Sequence, residues 1–298
     1  MQNTQKLVEY GNVIDAQSMV TPEDTTELIL DPGHPGENDP EYIERRKYLF
    51  ALTRQHRLEK LGPPMIEYTP EETRLWREVS SQLEELHVKY ACSIYLRAKR
   101  ALNITTHEIP QLRLLSQQVQ RETNMHLVPA EGALPYRTFY EYIAQRGFPV
   151  TQFLRHPSHP EFTPEPDMIH DCLGHVPPLM DRDYAELLTL IGKAAAWTPH
   201  GDQVLALKRF SWFSIEFGLL EEHGEIKVFG AGILSSTGEI PYSLTSREVT
   251  RRPFVTDVVI NQDYDPSRMQ DNLFIAPSFA FLRQELEALV RRFNIPVL

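Results

Sequence analysis

Apolar residues recur at helical spacing through most of the chain. Asp39-Pro40-Glu41 reads as a helix start, with an N-cap and a proline in the first turn. The pattern then runs through Arg45, Tyr48 and Leu52 to about Arg57, and Gly62-Pro63-Pro64 closes it. Thr69-Pro70-Glu71-Glu72 is a capping box. Behind it Leu75, Val79, Leu83, Leu86, Tyr90 and Ile94 share one face, which predicts a single long helix to about Ala101. Pro110 opens a helix to about Glu122. Pro135 opens another, rich in aromatics (Tyr136, Phe139, Tyr140, Tyr142) and ended by Gly147. Asp181 caps a helix to about Trp197, and Asp202 caps one through Leu205, Phe210, Phe213 and Phe217. Residues 225–229 alternate as a strand does, and 230–234 are expected to continue it. A further short strand is expected over 254–260, and a last helix from about Ser278 to Phe293. The expected fold is mostly α with a small β component, one domain over residues 40–298. Residues 1–39, polar and punctuated by Gly and Pro, read as a partly ordered N-terminal arm.

Composition changes this picture little but removes several function classes. The 298 residues are 41% hydrophobic and 24% charged, as in ordinary globular proteins. A net charge of −11 argues against a nucleic-acid or anionic-membrane partner, since both need clustered Lys and Arg. Two cysteines, Cys92 and Cys172, make no disulfide framework, so a reducing cytoplasm is expected. The first residues carry no basic stretch followed by an apolar run, so no signal peptide is read there. No apolar run approaches the roughly 20 residues a membrane span needs.

The chemistry concentrates in Thr163-Pro-Glu-Pro-Asp-Met-Ile-His-Asp-Cys-Leu-Gly-His-Val-Pro-Pro178. On an unbroken α-helix, residues five apart diverge by about 140°. His170 and His175 therefore converge on one ion only if the helix ends between them, with Gly174 ending it and Pro177 and Pro178 preventing its return. Glu216 is the candidate third ligand, as the lone ionisable residue of the apolar run from Phe210 to Leu220. Burying an unpaired carboxylate costs several kcal/mol, which a metal ion offsets. Two His and one carboxylate match the facial triad of non-haem Fe(II) oxygenases. The His pair would equally serve zinc and hydrolysis, although the His-Glu-x-x-His pattern of zinc peptidases is absent. A His beside a helix end is more often a cap or a surface group, so a non-catalytic site also stays open. Arg155 lies just upstream, and its planar fork suits a substrate carboxylate. Phe139, Trp212, Phe213 and Phe217 could line a flat pocket, with core packing the alternative.

These residues resemble the pterin-dependent aromatic amino acid hydroxylases, the family of phenylalanine, tyrosine and tryptophan hydroxylases. The likeness runs from about Pro35 to the region of Arg283. It is densest at 163–167, 170–177, 212–219 and 229–239. The resemblance implies His170, His175 and Glu216 as iron ligands at the catalytic centre. It implies Arg155 as the arginine that binds the amino acid carboxylate, with Thr163, Trp212 and Ser235 at further substrate positions and Pro166 beside the substrate ring. Phe139 is implied to stack on the pterin, with Gly132 and Leu134 in the loop at its edge and Asp171 close by. Ser236 and Glu239 match supporting residues. The implied cofactors are Fe(II) and tetrahydrobiopterin or a related tetrahydropterin, with O2 as co-substrate. The sequence departs from the animal members at Asp171, where they carry Glu, and at Ser211, where a Tyr is common.

No counterpart is recognisable for the aromatic-rich lid, the N-terminal regulatory domain or the C-terminal tetramer helix, so a monomer or weak dimer without regulation is expected. Trp212 is similar to the phenylalanine and tyrosine hydroxylases, since tryptophan hydroxylases carry Phe there. Pro266 stands where tyrosine hydroxylases carry Asp, which favours L-phenylalanine, although Asp265 is adjacent and a one-residue shift reverses the argument. The expected function is a cytoplasmic monooxygenase that hydroxylates the ring of an aromatic amino acid, converting phenylalanine to tyrosine. The alternatives are meta-hydroxylation in a specialised pathway, a tyrosine or tryptophan hydroxylase, a zinc hydrolase, and a non-catalytic metal-binding protein.

Overall fold

The computed structural model describes residues 32–161 and 163–297, with positions 28 and 30 and a short antiparallel hairpin of β1 (Leu7–Glu9) and β2 (Asn12–Ile14). The expected N-terminal arm thus lies largely outside the described residues. Its last residue does what the sequence predicts: the Asp39 carboxylate accepts from the N–H groups of Glu41 and Tyr42 and starts α1 (Pro40–Leu58). The capping box forms as read at the start of α2 (Pro70–Tyr90). Glu72 N donates to Thr69 Oγ1 at 3.1 Å and Thr69 N to Glu72 Oε2 at 2.7 Å.

The expected long helix is in fact two. Ala91 is extended, and Cys92 N donates to Val228 O at 3.0 Å, so the chain pairs briefly with a distant strand before α3 (Ser93–Ala101). Helix α4 (Leu112–Thr123) follows, two residues after Pro110. Then come β3 (His126–Pro129), the aromatic helix α5 (Tyr136–Ala144) and β4 (Gly147–Val150), with β3 and β4 paired in parallel. One turn of helix, α6 (Met168–His170), runs into a π-helical turn at Asp171–His175 and a 3-10 turn at Pro177–Met180.

Helix α7 (Arg182–Trp197) is the centre of the core. The Asp181 carboxylate caps it by accepting from Tyr184 N at 3.0 Å. Most of its residues are buried, and its charged residues Arg182, Glu186 and Lys193, with Trp197, are left on the exposed side. It packs on α5 so closely that a Cβ on Gly192 would sit 2.5 Å from Ala144 N.

Helix α8 (Gly201–Ser211) has His200 as its N-cap. Asp202 is therefore not the predicted cap but an acidic residue in the first turn, where it complements the helix dipole. A second π-helical turn, Trp212–Glu216, extends α8.

A four-stranded sheet, in the order β6-β5-β8-β7, covers this end of the core. It contains β5 (Leu219–Glu222), β6 (Glu225–Val228), β7 (Thr250–Pro253) and β8 (Asn272–Ala276). Two strand expectations are corrected here. Residues 231–234 form a short helix, α9 (Ala231–Leu234), rather than more of β6. The strand expected over 254–260 lies at 250–253, and α11 (Thr256–Val259) occupies most of the predicted span. Helix α10 (Glu239–Thr245) precedes β7, and α12 (Phe279–Arg292), capped by Ser278, packs on α7. The fold is mostly helical with small sheets, as the hydrophobic pattern predicts.

Candidate active site

Both histidines sit on one continuous helical path, which does not end at Gly174. Instead Val176 N donates to Asp171 O at 3.0 Å, five residues back. An i→i+5 turn is wider than an α turn, so residues five apart come round to the same face. His170 Nε2 and His175 Nε2 are thereby 3.0 Å apart, in rings 5% and 4% exposed as residues. Gly174 has a different role from the predicted one. A Cβ there would lie 2.8 Å from Ala231 O, so its absence lets α9 press against the turn.

Glu216 arrives from the second π turn, closed by Phe217 N donating to Trp212 O at 2.8 Å. Its carboxylate lies 3.3 Å from His175 Nε2 and 3.8 Å from His170 Nε2. Among the described residues, His170, His175 and Glu216 form a three-donor group whose ligand atoms all lie within 4.8 Å of one another.

Hydrogen bonding assigns the tautomer of His170. Ser235 Oγ donates to Ala231 O at 2.8 Å, so it accepts from His170 Nδ1–H at 3.0 Å. The Nε2 lone pair of His170 then faces His175 and Glu216. Burial and the neighbouring His175 push the His170 pKa down to about 4, which keeps this lone pair free of a proton. For His175 burial opposes the charge, but the Glu216 carboxylate outweighs it and raises the pKa. Two facing imidazole nitrogens and a carboxylate cannot all be satisfied by one shared proton. A divalent cation between them satisfies all three, so the donor set fits a metal ion.

Asp167 organises the next layer, and the sequence reading did not single it out. It is fully buried. Its Oδ1 accepts from His170 N at 3.0 Å, and both its oxygens bind Arg155, from Nη2 at 2.8 Å and Nε at 2.9 Å. Burial raises its pKa, yet Arg155 more than compensates and holds it below the usual carboxylate range. The signal was present as an Asp three residues before the first His, the spacing of a helix N-cap. Arg155 itself is buried, with Nη1 on Pro160 O at 3.2 Å. One edge of its fork is thus committed to Asp167.

Asp171 points away from the histidine nitrogens. Its Oδ2 accepts from Thr151 N at 2.6 Å and Thr151 Oγ1 at 2.8 Å, and burial raises its pKa to about 7. Thr163 donates to Glu165 O, and Pro166 O accepts from Thr151 Oγ1 at 3.4 Å. Gly132 faces the same motif, since a Cβ there would lie 3.5 Å from Glu165 Oε2. Leu134 is half-buried at the loop end before α5.

Phe139 is half-buried and meets Phe148 edge-on at 6.0 Å, and Phe148 in turn lies 4.8 Å from the His175 ring. Trp212 stacks on Tyr264 at 4.2 Å and packs on Phe217 at 4.6 Å, and its indole N–H donates to Gln270 Oε1 at 3.2 Å. Tyr264 and Gln270 were missed as candidates because they sit in an irregular polar segment with no motif. Phe213 packs on Phe274 in the core. Ser236 Oγ accepts from Glu239 N at 3.1 Å, and burial pushes the Glu239 carboxyl up to about 7.

The family model described as biopterin-dependent aromatic amino acid hydroxylase matches residues 13–297. Bovine tyrosine 3-monooxygenase is 38% identical over 273 residues, 90% of this chain, which spans 55% of that protein's length. The chloroplastic phenylalanine 4-monooxygenase of Pinus taeda is 37% identical over 262 residues, 87% of this chain and 72% of that one. Among solved structures, phenylalanine hydroxylase from Chromobacterium violaceum with bound iron(III) and 7,8-dihydrobiopterin superposes with a TM-score of 0.72 at 27% identity, covering 82% of this chain and 93% of that one. A match over nearly the whole chain and relatives above one-third identity leave one conclusion: the chain belongs to the biopterin-dependent aromatic amino acid hydroxylases.

Proposed function

We propose that the chain is an Fe(II)- and tetrahydropterin-dependent monooxygenase that hydroxylates the ring of L-phenylalanine. The observation that carries this reading is the three-donor group of buried His170 and His175 and half-buried Glu216. Asp167, which caps the helical turn of His170, also holds the Arg155 guanidinium, and Trp212, on the turn that carries Glu216, stacks on Tyr264. Bound iron would be held by these three side chains and supplies the activation of O2 that the reaction needs.

The protein's own residues do the rest. Arg155 meets the substrate carboxylate with the guanidinium edge not used by Asp167. Thr163, Pro166, Trp212 and Ser235 confine the ring. The loop of Gly132 and Leu134, with Phe139 and Asp171, receives the pterin. Preorganisation is the common theme, because each of these groups is itself fixed by packing or a hydrogen bond. Phenylalanine is preferred over tyrosine because Pro266 brings no carboxylate to its position. The identity to bovine tyrosine 3-monooxygenase keeps tyrosine as the second reading.

The same reading takes the small-molecule amino acid as the partner, with no nucleic acid and no membrane. Among the described residues no helix is long and apolar enough to cross a bilayer. Both cysteines are free and buried, which suits a reducing cytoplasm, and a monomer or weak dimer is expected on gel filtration.

The test is a competition. The chain is incubated with Fe(II), tetrahydrobiopterin, O2 and equimolar carbon-13-labelled phenylalanine, tyrosine and tryptophan, and product isomers are resolved by chromatography and mass, so that tyrosine formed is told from tyrosine added. Pterin-dependent tyrosine as the main product is expected. Dihydroxyphenylalanine formed from tyrosine in preference would establish the second reading. 3-Hydroxyphenylalanine would move the attack to the meta position, and absence of any pterin-dependent product would overturn the proposal.

A further inference from the structure

We propose that a buried polar network of Tyr95, His87 and Lys99, behind the metal-ligand turn, positions the ligands and sets the affinity for the metal. The inference rests on the metal-centre reading above and extends it to residues far from it in sequence.

Leu173 lies between the two histidines. The residues four and five positions after it are Pro177 and Pro178. Neither has an N–H, so neither an α nor a π turn can supply its carbonyl with a main-chain donor. A buried carbonyl left without a donor is costly. The hydroxyl of Tyr95, from α3, fills that place by donating to Leu173 O at 2.7 Å, in a side chain with no solvent exposure.

Leu234 is the second anchor. It precedes Ser235, whose hydroxyl holds His170 Nδ1. The Leu234 carbonyl lies 2.7 Å from Nε2 of His87, a fully buried residue of α2. A carbonyl only accepts, so His87 Nε2 carries the hydrogen and Nδ1 carries the lone pair. Two groups face that lone pair at 3.2 Å, Tyr95 Oη and Lys99 Nζ. The Tyr95 hydrogen is already given to Leu173, so Lys99 donates to His87. Lys99 is 5% exposed and is anchored in turn by a short ion pair to Glu84.

Tyr95 donates to Leu173 O, His87 to Leu234 O, and Lys99 to both His87 and Glu84, so the network reaches the two segments that carry His170, His175 and Ser235. A network so fully specified holds its members in a single arrangement. None of the three side chains touches the metal position, so they are positioning residues. Neither His87 nor Tyr95 belongs to a motif that the sequence shows.

The test uses Co(II) as probe, titrated into the metal-free chain and followed by its ligand-field absorption, with urea stability measured alongside. Tyr95→Phe removes one oxygen and keeps the ring. It is expected to weaken Co(II) binding by roughly tenfold, in the range for residues that orient metal ligands, and to shift the ligand-field bands. Val79→Ala, a buried change on α2 that touches neither carbonyl, is the control. It is expected to lower stability while leaving affinity and bands as in the wild type. Wild-type affinity and bands in Tyr95→Phe would overturn the proposal, as would equal losses in the control.

Should Tyr95→Phe fail to fold, Lys99→Met carries the same test. A several-fold loss of affinity is expected, and none would overturn the proposal. Failure of the underlying reading is separately visible: Glu216→Ala binding Co(II) as tightly as wild type would remove the metal centre itself.

Discussion

Asp167 carries two loads at once, and its replacement puts the largest structural claim at risk. Its carboxylate is fully buried, binds Arg155 through both oxygens and caps the short helix that begins the metal-ligand segment. Asp167→Ala leaves the Arg155 guanidinium buried without its partner, a loss of about 3–5 kcal/mol for breaking one side of a buried pair. Loss of the cap adds about 1 kcal/mol. The sum is a large share of the roughly 5–15 kcal/mol that keeps a domain folded. With a urea slope of about 3 kcal/mol per molar, the unfolding midpoint is expected to fall by about 1.3–2 M.

The double-mutant cycle gives the sharper reading. Arg155→Met leaves Asp167 buried and alone, and costs a similar amount. Asp167→Ala/Arg155→Met removes both charges together, so it is expected to cost about 3 kcal/mol less than the sum of the single changes. The pH dependence has a defined sign. In the wild type Arg155 lowers the Asp167 pKa, so this stabilisation is present above the ordinary carboxyl value of 3.8 and is lost as pH falls through the folded value. In Arg155→Met burial is left to raise that pKa, so the variant regains part of its loss on acidification. Single changes that add within about 0.5 kcal/mol would refute the coupling.

Three further outcomes are exposed. Glu216→Ala removes one of three metal donors, and Fe(II) or Co(II) affinity should drop by more than roughly a hundredfold, beyond the range for supporting residues; unchanged binding in a titration would remove Glu216 from the site. Trp212→Phe deletes the indole bond to Gln270 and part of the stack on Tyr264, and should raise kcat/KM for tryptophan relative to phenylalanine about tenfold; an unchanged ratio in competition would remove Trp212 from specificity. Burial and the neighbouring Lys99 lower the His87 pKa from 6.5 to about 3, so below pH 6.5 the unfolded chain takes up a proton that the folded one refuses. Stability should fall by about 1.4 kcal/mol per pH unit from this group as pH drops from 6 to 4, and His87→Leu should flatten that slope; a slope equal to wild type would show that His87 does not contribute it.

Local signals were legible wherever a few neighbouring residues decide the outcome. Asp39, Thr69 and Asp181 each cap the helix they were read to cap, and Ser278, read as the start of the last helix, caps it, because a capping side chain meets only its own first turn. The long-range decisions were not. The α2 periodicity continues straight through Ala91, since both helices face one core, and the break comes from pairing with Val228 far along the chain. Residues 230–234 are a short apolar run, which periodicity cannot assign to strand or helix. What decides it is the approach of Gly230 to the metal-ligand segment, where a Cβ would lie 2.4 Å from Glu216 O. Strands β3, β4, β5 and β8 have four or five residues each, too few for an alternation to stand out.

The two π turns belong to the same class and matter most for the chemistry. Neither has a sequence signature, and each gives up regular α-helical bonding. Each persists only where its surroundings over-determine it. Around the first, Gly174 admits Ala231, Tyr95 satisfies Leu173, and Asp167 fixes the start at His170. Around the second, the Phe217–Trp212 bond brings Glu216 to face the histidines while Trp212 locks onto Tyr264 and Gln270. An α-helix through the same residues would turn His175 about 140° from His170. The sequence argument was right that an ordinary helix cannot bring the pair together, but it supplied the wrong remedy. The chain does not stop the helix at Gly174; it widens it, and so keeps both histidines on a rigid element rather than on a loop. Rigid support of this kind is what a metal centre needs if its open side is to meet substrate and cofactor in one geometry.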